Sequence, residues 1–178
     1  MKKAILSLLT FAALSYSASA QSDNGNTKLS IGAEIAIPTG NLALIQSLGY
    51  GGSLQGEFKV AKSLNITASA GYLTFAYKKE IRDGLKEAGI ELENQDGIPV
   101  KAGAKYYFGN LFYGAAELGA AFSTKKGAGT AFVYAPTVGV SLPLSEKNNL
   151  DLGVRYESWS YEGTSSFIGI RAAYAFGL

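Results

Sequence analysis

Ten charged residues of the 178-residue chain alternate with glycines, alanines and small polar residues: Glu34, Glu57, Lys59, Lys101, Lys105, Glu117, Asp151, Arg155, Glu157 and Arg171. Five are acids and five are bases. Carboxylates of this kind can serve as general acids or bases, line an ion path, or neutralise nearby cations inside a fold. The choice is narrowed by what is missing. With no His and no Cys, there is no His-based triad, no zinc site of the usual nitrogen–sulfur type, no haem or iron–sulfur ligation and no disulfide. No cofactor or metal is expected. A formal charge of +2 is too small to suggest a nucleic-acid partner.

The elements that position these charges follow from a period of two. In eight stretches, apolar side chains occupy one face and the charged and glycine-rich set the other, the pattern of half-buried strands. The first stretch sets Ile31, Ala33 and Ile35 against Gly32 and Glu34; the fourth sets Ala102, Ala104 and Tyr106 against Lys101, Gly103 and Lys105. The last alternates from Ile168 to Leu178, with Arg171 on its polar face. No helix intervenes between strands, so the expectation is an all-β, eight-stranded antiparallel up-and-down barrel. Pro136 falls inside the sixth stretch and suggests a bulge or a late strand start.

Residues 1–20 read as a signal peptide: Lys2 and Lys3, an apolar run from Ala4 to Leu14, and the small residues Ala18-Ser19-Ala20 before the cleavage point. Removing them leaves 14 basic against 14 acidic residues. Residues 21–26 form a short tail, and 27–178 the barrel. Ten tilted residues at about 3.3 Å each rise roughly 25 Å, the height of the apolar band on an outer-membrane barrel. Connections alternate between short turns (61–63, 109–111, 145–149) and longer loops (39–51, 77–97, 123–130, 158–166), again as such barrels require. Residues 79–88 could form a short helix with Ile81, Leu85 and Ala88 on one face, and Asn41 could cap a turn whose Leu42, Leu44, Ile45 and Leu48 fold back over the mouth. Gly127-Ala128-Gly129 lacks the strand–loop–helix context of a phosphate loop.

Alternation does not say which face is inside, and a soluble lipocalin-like barrel binding an apolar ligand would show the inverse arrangement. The membrane arrangement is favoured by the glycines of the charged face, by its balance of charge, and by aromatics near both ends of the apolar face. Phe58, Tyr106, Phe108, Phe112, Tyr174 and Phe176 make one belt; Tyr72, Phe122, Tyr134 and Tyr156 the other. Trp159 and Tyr161 are expected at the headgroup level. Inside, Lys101 and Lys105 should flank Glu117 in one cluster, with Arg155, Glu157, Arg171 and Glu34 in a second.

With these features the chain resembles the small outer-membrane β-barrel proteins of the OmpX and OmpA-transmembrane type, over Thr27 to Leu178. The closing strand, Ile168 to Leu178, looks like the C-terminal signal read by the barrel assembly machinery, although it ends on Leu178 with the aromatic Phe176 two residues earlier. The resemblance implies an outer-membrane location in a diderm bacterium, lipid as partner, and periplasmic chaperones and assembly machinery during biogenesis. Small barrels of this kind that modify lipid A use a His, which this chain lacks. A non-enzymatic structural or surface-interaction role, through the outer loops, is therefore expected; a narrow pore is the other membrane reading.

Overall fold

The computed structural model describes residues 27–87, 89–90, 92, 94–125 and 129–178. The signal peptide, the tail at 21–26, Ala88, Gly127 and Ala128 lie outside these. Eight strands follow one another: β1 (Lys28–Thr39), β2 (Gln46–Lys59), β3 (Leu64–Tyr77), β4 (Gln95–Phe108), β5 (Phe112–Ser123), β6 (Thr130–Pro143), β7 (Asn148–Ser160) and β8 (Thr164–Gly177). Helix α1 (Leu42–Ile45) precedes β2, and α2 (Lys79–Glu87) precedes β4. Each strand pairs antiparallel with its neighbour, and β1 closes onto β8 from Lys28↔Gly177 to Thr39↔Ser166. Both barrel ends of the chain lie at the end with the short turns, where the Leu178 amide donates to the Thr27 carbonyl at 2.9 Å.

Closure removes every sheet edge, so the period of two now divides inside from outside. The outside is the apolar face. Val138 is 66% exposed and Leu118 58%, whereas Glu157 is 0% and Lys105 2%. A water-soluble barrel that carried an apolar ligand would have the opposite polarity. Among the described residues, no helix is long and apolar enough to cross a membrane; strands would have to do so.

Glycines fit the crowded interior. A Cβ at Gly153 would stand 2.7 Å from the Tyr113 hydroxyl, and one at Gly169 would stand 2.9 Å from Cζ of Arg155. Both large side chains therefore lie across bare backbone.

The strands run further toward the loop end than strict alternation suggests. β2 begins at Gln46, with a bulge between Gln46 and Leu48, and β6 begins at Thr130. The β7–β8 connection shrinks to residues 161–163, where Glu162 takes a positive φ of 49°. Pro136 causes neither a bulge nor a late start. The β5 ladder continues through Ala116↔Pro136, while on the β7 side pairing simply skips Ala135 and Pro136 without a change of register. Pro99 acts alike, pairing with Ala121 on β5 while the β3 ladder skips from Ala70↔Val100 to Leu73↔Gly97. One missing N–H thus costs one local stretch of one ladder.

At the loop end, α2 spans the expected helix, with Ile81 and Leu85 half-buried. The expected fold-back of apolar residues over the mouth holds only for Leu42, which is buried; Leu44, Ile45 and Leu48 are exposed. A single helical turn cannot bury successive residues on one side, and beyond the bulge Leu48 joins the outer face of β2.

Candidate functional site: the charged interior and the mouth above it

Three layers fill the barrel. Nearest the turns, Lys105 reaches Glu57 at 2.9 Å and Asp151 at 2.7 Å, and stands 4.0 Å from the centre of the Tyr113 ring. Asn65 and Tyr107 also donate to Glu57, the latter at 2.7 Å. In the middle layer, Glu157 accepts from Lys101 at 2.7 Å, Arg155 at 2.6 Å and Trp159 at 2.7 Å. Arg155 also binds Glu34, which lies 3.6 Å from Arg171; Arg171 in turn donates to Ser53 at 2.8 Å and Ser30 at 3.0 Å. Above these, Phe75, Trp159 and Phe167 meet edge to face at 5.3–5.9 Å between ring centres, packed with Leu42, Leu73 and Ala36.

The second predicted cluster, Arg155, Glu157, Arg171 and Glu34, is thus brought together, and Lys101 joins it. The Lys-Glu-Lys cluster is not formed as expected. Glu117 stands opposite Gly103 in register, but Lys105 turns away to Glu57 and Asp151, and Lys101 approaches Glu117 only to 3.9 Å. Glu117 is held instead by neutral donors: Gln55 at 3.2 Å, Thr67 at 3.1 Å and Ser69 at 3.1 Å. Lys59 is also corrected. It sits at the last position of β2 and is exposed, paired in register with Asn65, because the strand has by then left the enclosed layer. Five buried carboxylates therefore face four cations, and Glu117 is the one stabilised by dipoles.

Replacing Glu117 by Ala is consequently expected to leave three neutral donors unpaired while both lysines keep other partners. The expected loss is about 1–3 kcal/mol, read as a lower unfolding temperature in detergent. A melting curve that overlays the parent's would contradict this arrangement.

Residual space in this region is about 40 Å³, bordered by Ser53, Gln55, Lys101, Glu117 and Arg171 among others. That is room for one or two waters. At the loop end the barrel opens into a vestibule of about 560 Å³ above the Phe75–Trp159–Phe167 layer.

On the outer wall, Phe58, Tyr106, Phe108, Phe112, Tyr174 and Phe176 lie toward the turns; Tyr106 packs on Phe108 at 5.2 Å and Tyr174 on Phe176 at 6.0 Å. Tyr72, Phe122, Tyr134 and Tyr156 lie toward the loops, with Tyr134 and Tyr156 6.1 Å apart. Phe176 is half-buried and the other nine are exposed.

An apolar wall ringed by aromatics around a charged lumen can be compared with known barrels. Neisserial surface protein A superposes over 88% of this chain and all of its own, with a TM-score of 0.62 at 13% identity. OprG from Pseudomonas aeruginosa matches over 86% of this chain and 96% of its own (TM-score 0.57, 11% identity). Ail, the attachment invasion locus protein of Yersinia pestis, matches over 86% and 100% (0.56, 14%). This is the fold of the small outer-membrane β-barrels. No sequence-family description matches the chain, and no curated protein does.

Within that barrel fold, several site residues escape sequence reasoning. Trp159 does not anchor at a headgroup level: it points inward and donates to Glu157. The signal was present, since Trp159 shares the parity of Asp151, Arg155 and Glu157, but the strand was expected to end before it. Phe75 and Phe167 share the inward parity of Thr67 and Arg171 but stand at the ends of their stretches, beside the expected loops 77–97 and 158–166. Tyr50 and Phe132, both outward and exposed, extend the loop-side belt.

Proposed function

We propose that this chain is an integral outer-membrane barrel of a diderm bacterium, exported by its N-terminal signal, without catalysis, and serving a structural or surface-interaction role through its loop end. The observation that carries this is the inverted polarity: ion pairs fill the lumen while the exposed wall is Leu, Val, Ile and aromatic. Transfer of that wall into hydrocarbon is favourable at about 25 cal/mol per Å², and the closed ladder leaves no backbone group unpaired at a sheet edge.

The interior supports a plug in preference to a conduit. Each of its five buried carboxylates is engaged by a cation or a hydrogen-bond donor, which supports a structural role for them. The aromatic layer lies across the loop-side end of the polar column, leaving only the small cavity beneath.

The protein is expected to remain with the membrane after an alkaline wash, to shift mobility on a gel when boiled, and to give no stable single-channel steps in a planar bilayer. Recovery in the soluble periplasmic extract would overturn the location. Regular conductance steps would overturn the plug.

A further inference from the structure

Helix α2 is the element that the barrel holds least. None of its residues is buried, and none lines the vestibule. Nine residues with Gly84 in the middle are too few for stability in water, where isolated helices shorter than about 12 residues are marginal. Its end is nevertheless well made. Gly89, at a φ of 77°, and Ile90 close a Schellman turn: the Ile90 amide donates to the Leu85 carbonyl at 2.9 Å and the Gly89 amide to that of Lys86 at 3.0 Å. Such a turn sets Ile90, 51% exposed, beside Leu85. At about 3.6 residues per turn Ile81 and Leu85 share one face, so the three make an apolar edge. Arg82 comes next to Leu85 around the helix and Lys86 and Lys79 follow it, while Asp83 stands opposite the apolar pair with Glu87 and Glu80 beyond.

The place where α2 leaves the barrel points to its partner. The outer wall stays apolar up to Leu48 on β2 and Ala76, its neighbour on β3. Nearby it turns polar, with Asp96 of β4 standing outward opposite Thr74. The helix begins three residues past Ala76. The Lys78 amide donates to the Ile45 carbonyl at 3.0 Å, which roots α2 against α1 and its exposed Leu44 and Ile45. A wall that changes there from apolar to charged meets the boundary between hydrocarbon and headgroups. We propose that α2 is a membrane-surface helix: the edge of Ile81, Leu85 and Ile90 enters the leaflet around the loop end, and Arg82, Lys86 and Lys79 meet lipid phosphates. Helices of this kind bury their apolar face about 5–10 Å into the interface, and long basic side chains reach phosphates from that level. Continuity with the lipid-facing wall selects the leaflet over a protein partner. The inference rests on the membrane location proposed above.

The chain has no Cys, so one introduced thiol can carry a nitroxide label. The full barrel is labelled singly through Ile81→Cys, Leu85→Cys, Asp83→Cys or Leu118→Cys and placed in phosphatidylcholine nanodiscs, with folding checked by the mobility shift on boiling. Collisions with oxygen, which concentrates in lipid, are compared with collisions with a water-soluble nickel chelate. Labels at positions 81 and 85 should report a depth of about 5–10 Å, between the lipid-facing label at 118 and the water-exposed label at 83. Exchanging part of the phosphatidylcholine for phosphatidylglycerol should shift the label at 85 deeper, and the Lys79→Gln, Arg82→Gln, Lys86→Gln triple variant should lose that shift. Labels at 81 and 85 as open to the chelate as the one at 83, with 118 in lipid, would overturn the inference and leave the location of the barrel standing. A label at 118 in water would overturn both. A phosphatidylglycerol shift kept in full by the triple variant would overturn the phosphate contact.

Discussion

Lys105→Met is expected to cost the barrel about 3–5 kcal/mol, the range for breaking a buried ion pair by removing one partner. The methionine keeps most of the apolar stem and takes away the ammonium, with its charge and its hydrogen bonds to Glu57 and Asp151. Lys105 is 2% exposed and is the cation between Glu57 and Asp151. Without it, Glu57 keeps Asn65 and Tyr107, but Asp151, 3% exposed with an oxygen already unpartnered, loses its ammonium partner. Five buried carboxylates would then face three cations. The measurement is denaturant unfolding in lipid vesicles, followed by the heat-dependent gel shift. An unchanged midpoint would mean that water reaches this layer freely. Glu57→Gln in the same background should recover part of the loss by reducing the surplus of negative charge.

Leu118→Arg should cost about 2–4 kcal/mol, the range for a basic residue on the lipid face near the midplane. Leu118 stands midway along β5, opposite Ala102 and Tyr134, and is 58% exposed. If water bathed this wall, the same change would be close to neutral, as most surface substitutions are. Folding yield into bilayers, compared with Leu118→Ala, reads the difference. A variant that folds as efficiently as the Ala control would place the wall in water.

Fold and face were legible because a strand's side chains must alternate, and Glu34, Lys101 and Arg171 could share a face with glycines only if that face was inside. Pairing partners were less accessible. Register places Glu117 beside Lys101 and Lys105, yet a lysine's four-carbon stem lets Lys105 choose Glu57 on β2 and Asp151 on β7, acids that register with its own neighbours does not indicate. Which acid a long cation selects is decided across the lumen, by distances fixed only when the sheet closes. The mouth was hidden differently. Past Arg155 and Glu157 the inward positions turn from charged to aromatic, so Trp159, Phe75 and Phe167 look like membrane-belt residues unless the strand is known to continue. Lys59 shows the reverse error: its parity is right, but its height on the barrel is not encoded in alternation.

One ladder differs from the other seven. Strands β1 and β8 are the first and last of the barrel, and Glu34 meets Arg171 directly across their seam, with Arg155 fastening the same carboxylate from β7. Every other pairing can zip from a local hairpin, whereas this one must bring distant ends together at a large loop-closure cost. Until it forms, two rows of backbone N–H and C=O stay unpaired, and Glu34 lacks its counterions. Mating of the ends and burial of the ions are therefore the same late event. An intermediate trapped before it should be kinetically exposed to proteolysis and to edge-to-edge oligomers.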